Sequence, residues 1–107
     1  MYIYEYKLSG NEIMCHPVEV IEKPNTYKAA RHSTLSYRSV YTKSEEGKNL
    51  STFNSEYIIF LSERDDERAR TIMKDIATTH IENQEAIIEN LRETRDVIVR
   101  AKIVENI

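Results

Sequence analysis

Three histidines and a single cysteine are the side chains here with the most versatile donor atoms. Cys15 and His16 are neighbours, so in an extended segment they point to opposite faces. His32 and His80 stand alone. No pair has the spacing that a zinc site needs, so no metal centre is expected. Glu82, Glu85 and Glu89 fall near one side of a helix, but a solvated helix face has the same pattern, and acid–base work would need a pocket that parts their pKa values. Serines and threonines are plentiful. With only Gly10 and Gly47 available, however, neither a Gly-x-Ser-x-Gly nucleophile turn nor a phosphate-cradling glycine loop can be built. No catalytic residue and no cofactor is assigned, and the chain reads as non-enzymatic.

The stretch from Lys23 to Lys43 is different. It holds Lys23, Lys28, Arg31, Arg38 and Lys43 with no acidic residue, interleaved with Tyr27, His32, Tyr37 and Tyr41. Cations beside aromatic rings are what a phosphate-bearing ring ligand or a single strand of nucleic acid needs, charge from one and stacking from the other. Tyr27, Lys28, Arg31, Tyr37, Arg38 and Tyr41 are therefore the candidate ligand- or partner-binding residues. Two other readings stand beside this one. The tyrosines can be ordinary strand residues with basic neighbours that offset an acid-rich C-terminal half, or the segment can be a surface that meets another protein.

These residues must be positioned by a small scaffold. At 107 residues the chain has the length of one domain, 1–107, in which about two thirds of the unfolded surface can be buried. Hydrophobic residues make up 40% and charged residues 31%, a globular balance rather than a disordered one. The net charge of −3 predicts no bulk attraction to nucleic acid or anionic membrane. One cysteine cannot close an internal disulfide, and the opening Met1-Tyr-Ile-Tyr lacks the basic stretch and apolar run of a signal peptide. No apolar run approaches the roughly 18 residues of a membrane span. The expected location is the cytoplasm.

The period of two over Tyr2–Lys7 places Tyr2, Tyr4 and Tyr6 on one face of a strand. Ser9-Gly10-Asn11 is a turn, and Glu12–Glu22 is a second strand whose start, at Pro17, must be an edge or a bulge because proline deletes a ladder donor. Lys23-Pro24-Asn25-Thr26 turns the chain again into a strand over Tyr27–Ala30. Thr34–Thr42 reads as another strand. Ser44–Asn49 is a polar turn, and within the apolar stretch Asn54–Leu61 the residues Tyr57–Leu61 read as a central strand. The expected fold is α+β, a four- to five-stranded antiparallel meander over residues 1–61 followed by one long helix over about 63–100.

From Lys48 to Ile107 there is neither glycine nor proline. Ser62 offers an N-cap, and Glu63, Asp65, Asp66 and Glu67 crowd the first turns, where the helix dipole favours anions. The positions Ala69, Met73, Ile76, His80, Gln84, Ile87, Leu91, Arg95 and Ile98 form a stripe with an eleven-residue period, that of a nearly straight helix. Ala69, Ile72, Met73, Ile76 and Ala77 match the width of a strand layer, whereas Ile87, Ile88, Leu91 and Ile98 have no sheet left to cover them. Either the helix continues and these four form an oligomer interface with another copy, or it breaks near 79–84 and folds back. Residues 97–104 are β-branched enough to form a strand instead.

The string Val18-Glu-Val-Ile-Glu-Lys-Pro-Asn-Thr-Tyr-Lys28, with Tyr57-Ile-Ile-Phe-Leu-Ser-Glu-Arg-Asp-Asp-Glu-Arg-Ala69 opening a charged helix, resembles small proteins encoded by phages and mobile elements of low-GC Gram-positive bacteria. The resemblance implies an accessory protein acting stoichiometrically on a host antiphage system in the host cytoplasm. In general build the chain is similar to anti-CRISPR proteins, which bind effector complexes, and to anti-Thoeris sponges, which sequester cyclic nucleotide signals. No signature residue of either is matched. The expectation is thus an inhibitor that contacts a host protein. A nucleotide sponge using Tyr27–Lys43 and an assembly protein using the long helix are the alternatives.

Overall fold

The computed structural model describes residues 1–31, 36–52 and 56–105. It is α+β, a curled five-stranded antiparallel sheet followed by one long helix. Strand β1 (Tyr2–Ser9) runs into β2 (Glu12–Glu22) through a two-residue loop, with Ser9 opposite Glu12. Gly10 has φ +59° at the first loop position, where type II′ geometry favours glycine. Pro24-Asn25 turns β2 into β3 (Thr26–Ala29), closed by the Lys23 N–H donating to the Thr26 carbonyl at 2.8 Å. Strand β4 (Val40–Thr42) pairs with β3.

Pro17 sits where its missing donor does no harm. Val20 N–H donates to the Met1 carbonyl, and hydrogen-bonded pairs alternate along an antiparallel ladder, so the Pro17 nitrogen faces away from β1. On that side β3 pairs with Val20–Glu22, so among the described residues no strand lies beside Pro17.

Two expectations about strands change. The segment expected as a strand over Thr34–Thr42 forms one only from Val40, because the Tyr37 and Arg38 N–H groups turn to Glu5 and to the Tyr41 hydroxyl instead of to a ladder. Residues 34 and 35 lie outside the described residues, as do His32 and Asn54. The apolar strand β5 (Ile58–Leu61) is not central. The order is β4-β3-β2-β1-β5, so β5 returns past the four-stranded meander to the far side of β1. All four of its residues are nevertheless buried. Ile58 and Phe60 enter a core with Ile3, Val18, Val20, Tyr27, Tyr41 and Leu50, while Ile59 and Leu61 enter a second core with Tyr6, Ala69 and Met73. The outer edge of β5 is closed as well, by the Gly47 N–H to the Phe60 carbonyl at 3.1 Å and the Leu50 N–H to the Ile58 carbonyl at 2.7 Å. Gly47 makes this approach at φ +76°.

The helix α1 is continuous over Asp66–Arg100, without a break at 79–84 or a strand at its end. Its N-cap is Asp65 rather than Ser62: Asp65 Oδ1 accepts the Arg68 N–H at 3.0 Å. The start is fixed from β1, where the Tyr6 hydroxyl accepts the Asp65 N–H at 3.1 Å and donates to Asp66 Oδ1 at 2.8 Å. Two compact units divide the chain, Met1–Ile76 and Ala77–Ile107. In the first, Ala69 and Met73 are buried and Ile72 and Ile76 half-buried in the core that holds Tyr6 and Leu61.

Candidate functional site

The basic–aromatic segment turns most of its groups inward. Tyr27 and Tyr41 are buried and pack edge-on against Phe60, with centroids 6.3 and 5.2 Å away. A base stacking on either ring would have to displace that contact. The Tyr41 hydroxyl donates to Glu5 Oε2 at 2.5 Å, and the Tyr37 N–H reaches both Glu5 oxygens at 3.0 Å. Glu5 itself is 3% exposed, and among the described residues its carboxyl oxygens are met by these hydrogen bonds and by no lysine or arginine. Burial first, and then the bond to Glu5, push the Tyr41 phenol above the ordinary tyrosine range.

The cations of the segment are largely paired. Arg38 holds Glu45 at 2.9 Å and the Leu50 carbonyl at 3.1 Å, Lys43 holds Glu22 at 2.7 Å and lies 5.1 Å from the Tyr27 ring centroid, and Arg31 approaches Glu19 at 3.6 Å. Tyr37 keeps an exposed ring with the Arg38 guanidinium 6.0 Å from its centroid. Lys28 is exposed between Ile21 and Val40 in neighbouring strands. The segment thus ties the curl of the sheet shut, and of the six residues singled out for binding, Tyr37, Lys28 and Arg31 present themselves to solvent.

An open cleft of about 280 Å³ is lined by Tyr6, Ile13, Met14, Cys15, Arg64, Asp66 and Arg70. Its thiol lies opposite Tyr6 in the ladder. As a base for that thiol Tyr6 is unsuited: burial and its donated bond to Asp66 raise its ionisation above the tyrosine range. The Asp66 carboxyl is held low, first by Tyr6 and next by Arg64 at 3.3 Å, which in turn raises the arginine. Among the described residues no three His, Cys, Asp or Glu side chains are grouped to hold a metal ion.

The second unit carries the other feature. From Ala77 onward no residue of α1 is buried, yet the helix remains amphipathic. Advancing 100° per residue, Ile87, Leu91 and Ile98 fall within a narrow stripe, Ile88 and Ile81 flank it on one side, and Glu82, Glu85, Glu89 and Asp96 lie opposite. Leu91 is 63% and Ile98 69% exposed, and Ile87 and Ile88 are each about half exposed. Ile81, 56% exposed, was not singled out from the sequence because an eleven-residue stripe passes it by; a seven-residue reading, which relates it to Ile88, picks it up.

Comparison with protein-family models, with curated proteins and with solved structures finds no match to this chain. Among the described residues no helix is long and apolar enough to cross a membrane.

Proposed function

We propose that this chain is a non-enzymatic binding protein that acts by stoichiometric contact, with the second half of α1 as its contact element. The observation that carries this reading is the apolar stripe Ile87, Leu91 and Ile98, fully divided from the acidic face and at least half exposed among the described residues. A helix that only had to be dissolved would gain nothing from that division, and an unpartnered aliphatic stripe marks an interaction surface. The polar chemistry of the first unit supports the same reading, since the Glu5 carboxylate and the Tyr6 and Tyr41 hydroxyls are spent on holding the fold. Following the resemblance to phage-encoded accessory proteins, the function is inhibition of a host antiphage factor in the host cytoplasm.

Expressed in a Gram-positive host that carries a panel of antiphage systems, the chain should restore plaque formation against one of them. The variant Ile87→Asp/Leu91→Asp should not, at equal protein level. Failure across the panel removes the anti-defence reading. In parallel, calorimetric titration of the purified chain with cyclic dinucleotides and cyclic ADP-ribose variants at low salt should be flat. A saturable heat that disappears in Tyr37→Ala would install the nucleotide sponge in its place.

A further inference from the structure

We infer that the cleft beside the start of α1 is a binding site for a small organic monocarboxylate, with Arg70 as the group that holds the acid. The cleft lies within the first unit, Met1–Ile76, and needs nothing from the apolar stripe of the second. Its charge is the first argument. Arg31, Arg38, Arg64 and Arg68 of the same unit each have a carboxylate oxygen within 3.7 Å. The Arg70 guanidinium, which lines the cleft, has neither an ion pair nor a hydrogen bond among the described residues. The one carboxylate in that lining is already engaged: Tyr6 donates to Asp66 Oδ1 at 2.8 Å, and Arg64 approaches the two Asp66 oxygens at 3.3 and 3.4 Å. Two guanidinium groups against one carboxylate leave a surplus positive charge, and it sits on Arg70. A monoanion balances that surplus. A dianionic phosphate would bring a second negative charge toward Asp66 with no cation left to meet it.

Shape is the second argument. The cleft measures about 280 Å³, whereas a cavity of about 150 Å³ already takes benzene, so a ring or a branched chain fits beside the acidic group. One wall is apolar. Ile13 and Cys15, two apart on β2 and hence on one face of the strand, are half-buried against the core of Tyr6, Leu61, Ala69 and Met73, and both line the cleft. An inorganic anion would pair with Arg70 and leave that wall wet. An uncharged apolar molecule would cover the wall and leave the cation unpaired. A carboxylate on an apolar body does both, because the guanidinium fork matches the two oxygens of the acid.

The test is an amide NMR titration of the isotope-labelled full-length chain with three probes. These are phenylacetate, phenylacetamide, which keeps the ring and loses the charge, and inorganic phosphate, which keeps charge and loses the ring. Phenylacetate should move the amide resonances of Ile13, Met14, Cys15 and Arg70 saturably, with a Kd of about a millimolar, the range that so few atoms reach in an open site. The amide and inorganic phosphate should each bind about tenfold more weakly, one for want of the charge-assisted pair and the other for want of the apolar contact. Arg70→Gln should bring phenylacetate level with the amide. Arg68→Gln, whose native guanidinium faces Glu46 at 3.7 Å, should leave phenylacetate binding unchanged. Occupation should also slow the alkylation by iodoacetamide of Cys15, the only thiol of the chain. Equal binding of phenylacetate and phenylacetamide overturns the proposal, and so does the absence of a saturable shift at these residues up to about 20 mM. Unchanged phenylacetate binding in Arg70→Gln overturns it as well. None of these readouts involves the plaque assay, so failure here is separate from failure of the contact reading of α1.

Discussion

The Glu5 carboxyl group joins β1 to the segment that leads into β4, through the Tyr37 N–H and the Tyr41 hydroxyl. Glu5 shares its strand face with Ile3, and alternation around three tyrosines suggests that this face is the wet one. It is buried instead, and its oxygens are filled by Tyr37 N–H and the Tyr41 hydroxyl. Hydrogen bonds to charged groups contribute about 1.5–3 kcal/mol, so Tyr41→Phe should lower the stability by that amount in a urea melt. An unchanged midpoint would show that the hydroxyl does not hold the carboxylate. The same environment makes stability sensitive to alkali. Tyr41 and Tyr6 ionise above the tyrosine range when folded and near 10 when unfolded, so above that pH the unfolded chain binds fewer protons than the native one. Stability should hold up to about pH 9 and fall beyond about pH 10, by about 1.4 kcal/mol per pH unit for each of the two phenols. Urea melts between pH 8 and pH 11 measure this, and Tyr6→Phe combined with Tyr41→Phe should flatten the slope.

At the scale of elements, the cap of α1 separates what is local from what is not. Ser62 and Asp65 are both good capping residues, and nothing near them in sequence chooses between them. The choice is made by Tyr6, from β1, whose hydroxyl takes the Asp65 N–H and donates to Asp66. Asp65→Ala should therefore cost about 0.5–2 kcal/mol, the usual range for a lost N-cap, whereas Ser62→Ala should stay within about 0.5 kcal/mol. Equal losses on thermal melting would return the cap to Ser62. The two hairpin turns and the helix were legible because Gly10, Pro24-Asn25 and the glycine-free C-terminal half act through their own backbones. The place of β5 was not legible: its run of apolar residues says that both faces are covered, and a terminal strand with a helix on one side and a curled sheet on the other satisfies that as well as a central one does. The inward turn of Tyr27 and Tyr41 was hidden for the same reason, since it depends on the curl and on Phe60. The exposed stripe of α1 could be seen because helical periodicity displays it without reference to any neighbour.

For the whole molecule, an oligomer held through Ile87, Ile88, Leu91 and Ile98, as expected from the sequence, couples folding to concentration. Any species that binds the native chain and not the unfolded one raises apparent stability by mass action. The urea midpoint monitored through α1 should accordingly rise between 1 and 100 μM protein, and Ile87→Asp/Leu91→Asp should remove that dependence. A midpoint indifferent to concentration in the unmodified chain would contradict assembly through this helix. The return of β5 to β1 has another consequence, one that lies in synthesis. The chain emerges from the ribosome N-terminus first, and β1 can pair with β2 as soon as the Gly10 turn is out. Its other edge must wait for a strand that ends at Leu61, so for about fifty residues of elongation, several seconds at ordinary rates of about 5–20 residues per second, β1 offers unpaired backbone to any neighbouring nascent chain. Codon choice between Ser9 and Leu61 would then set how long that edge stays bare, and with it how much of each translated batch reaches the folded state.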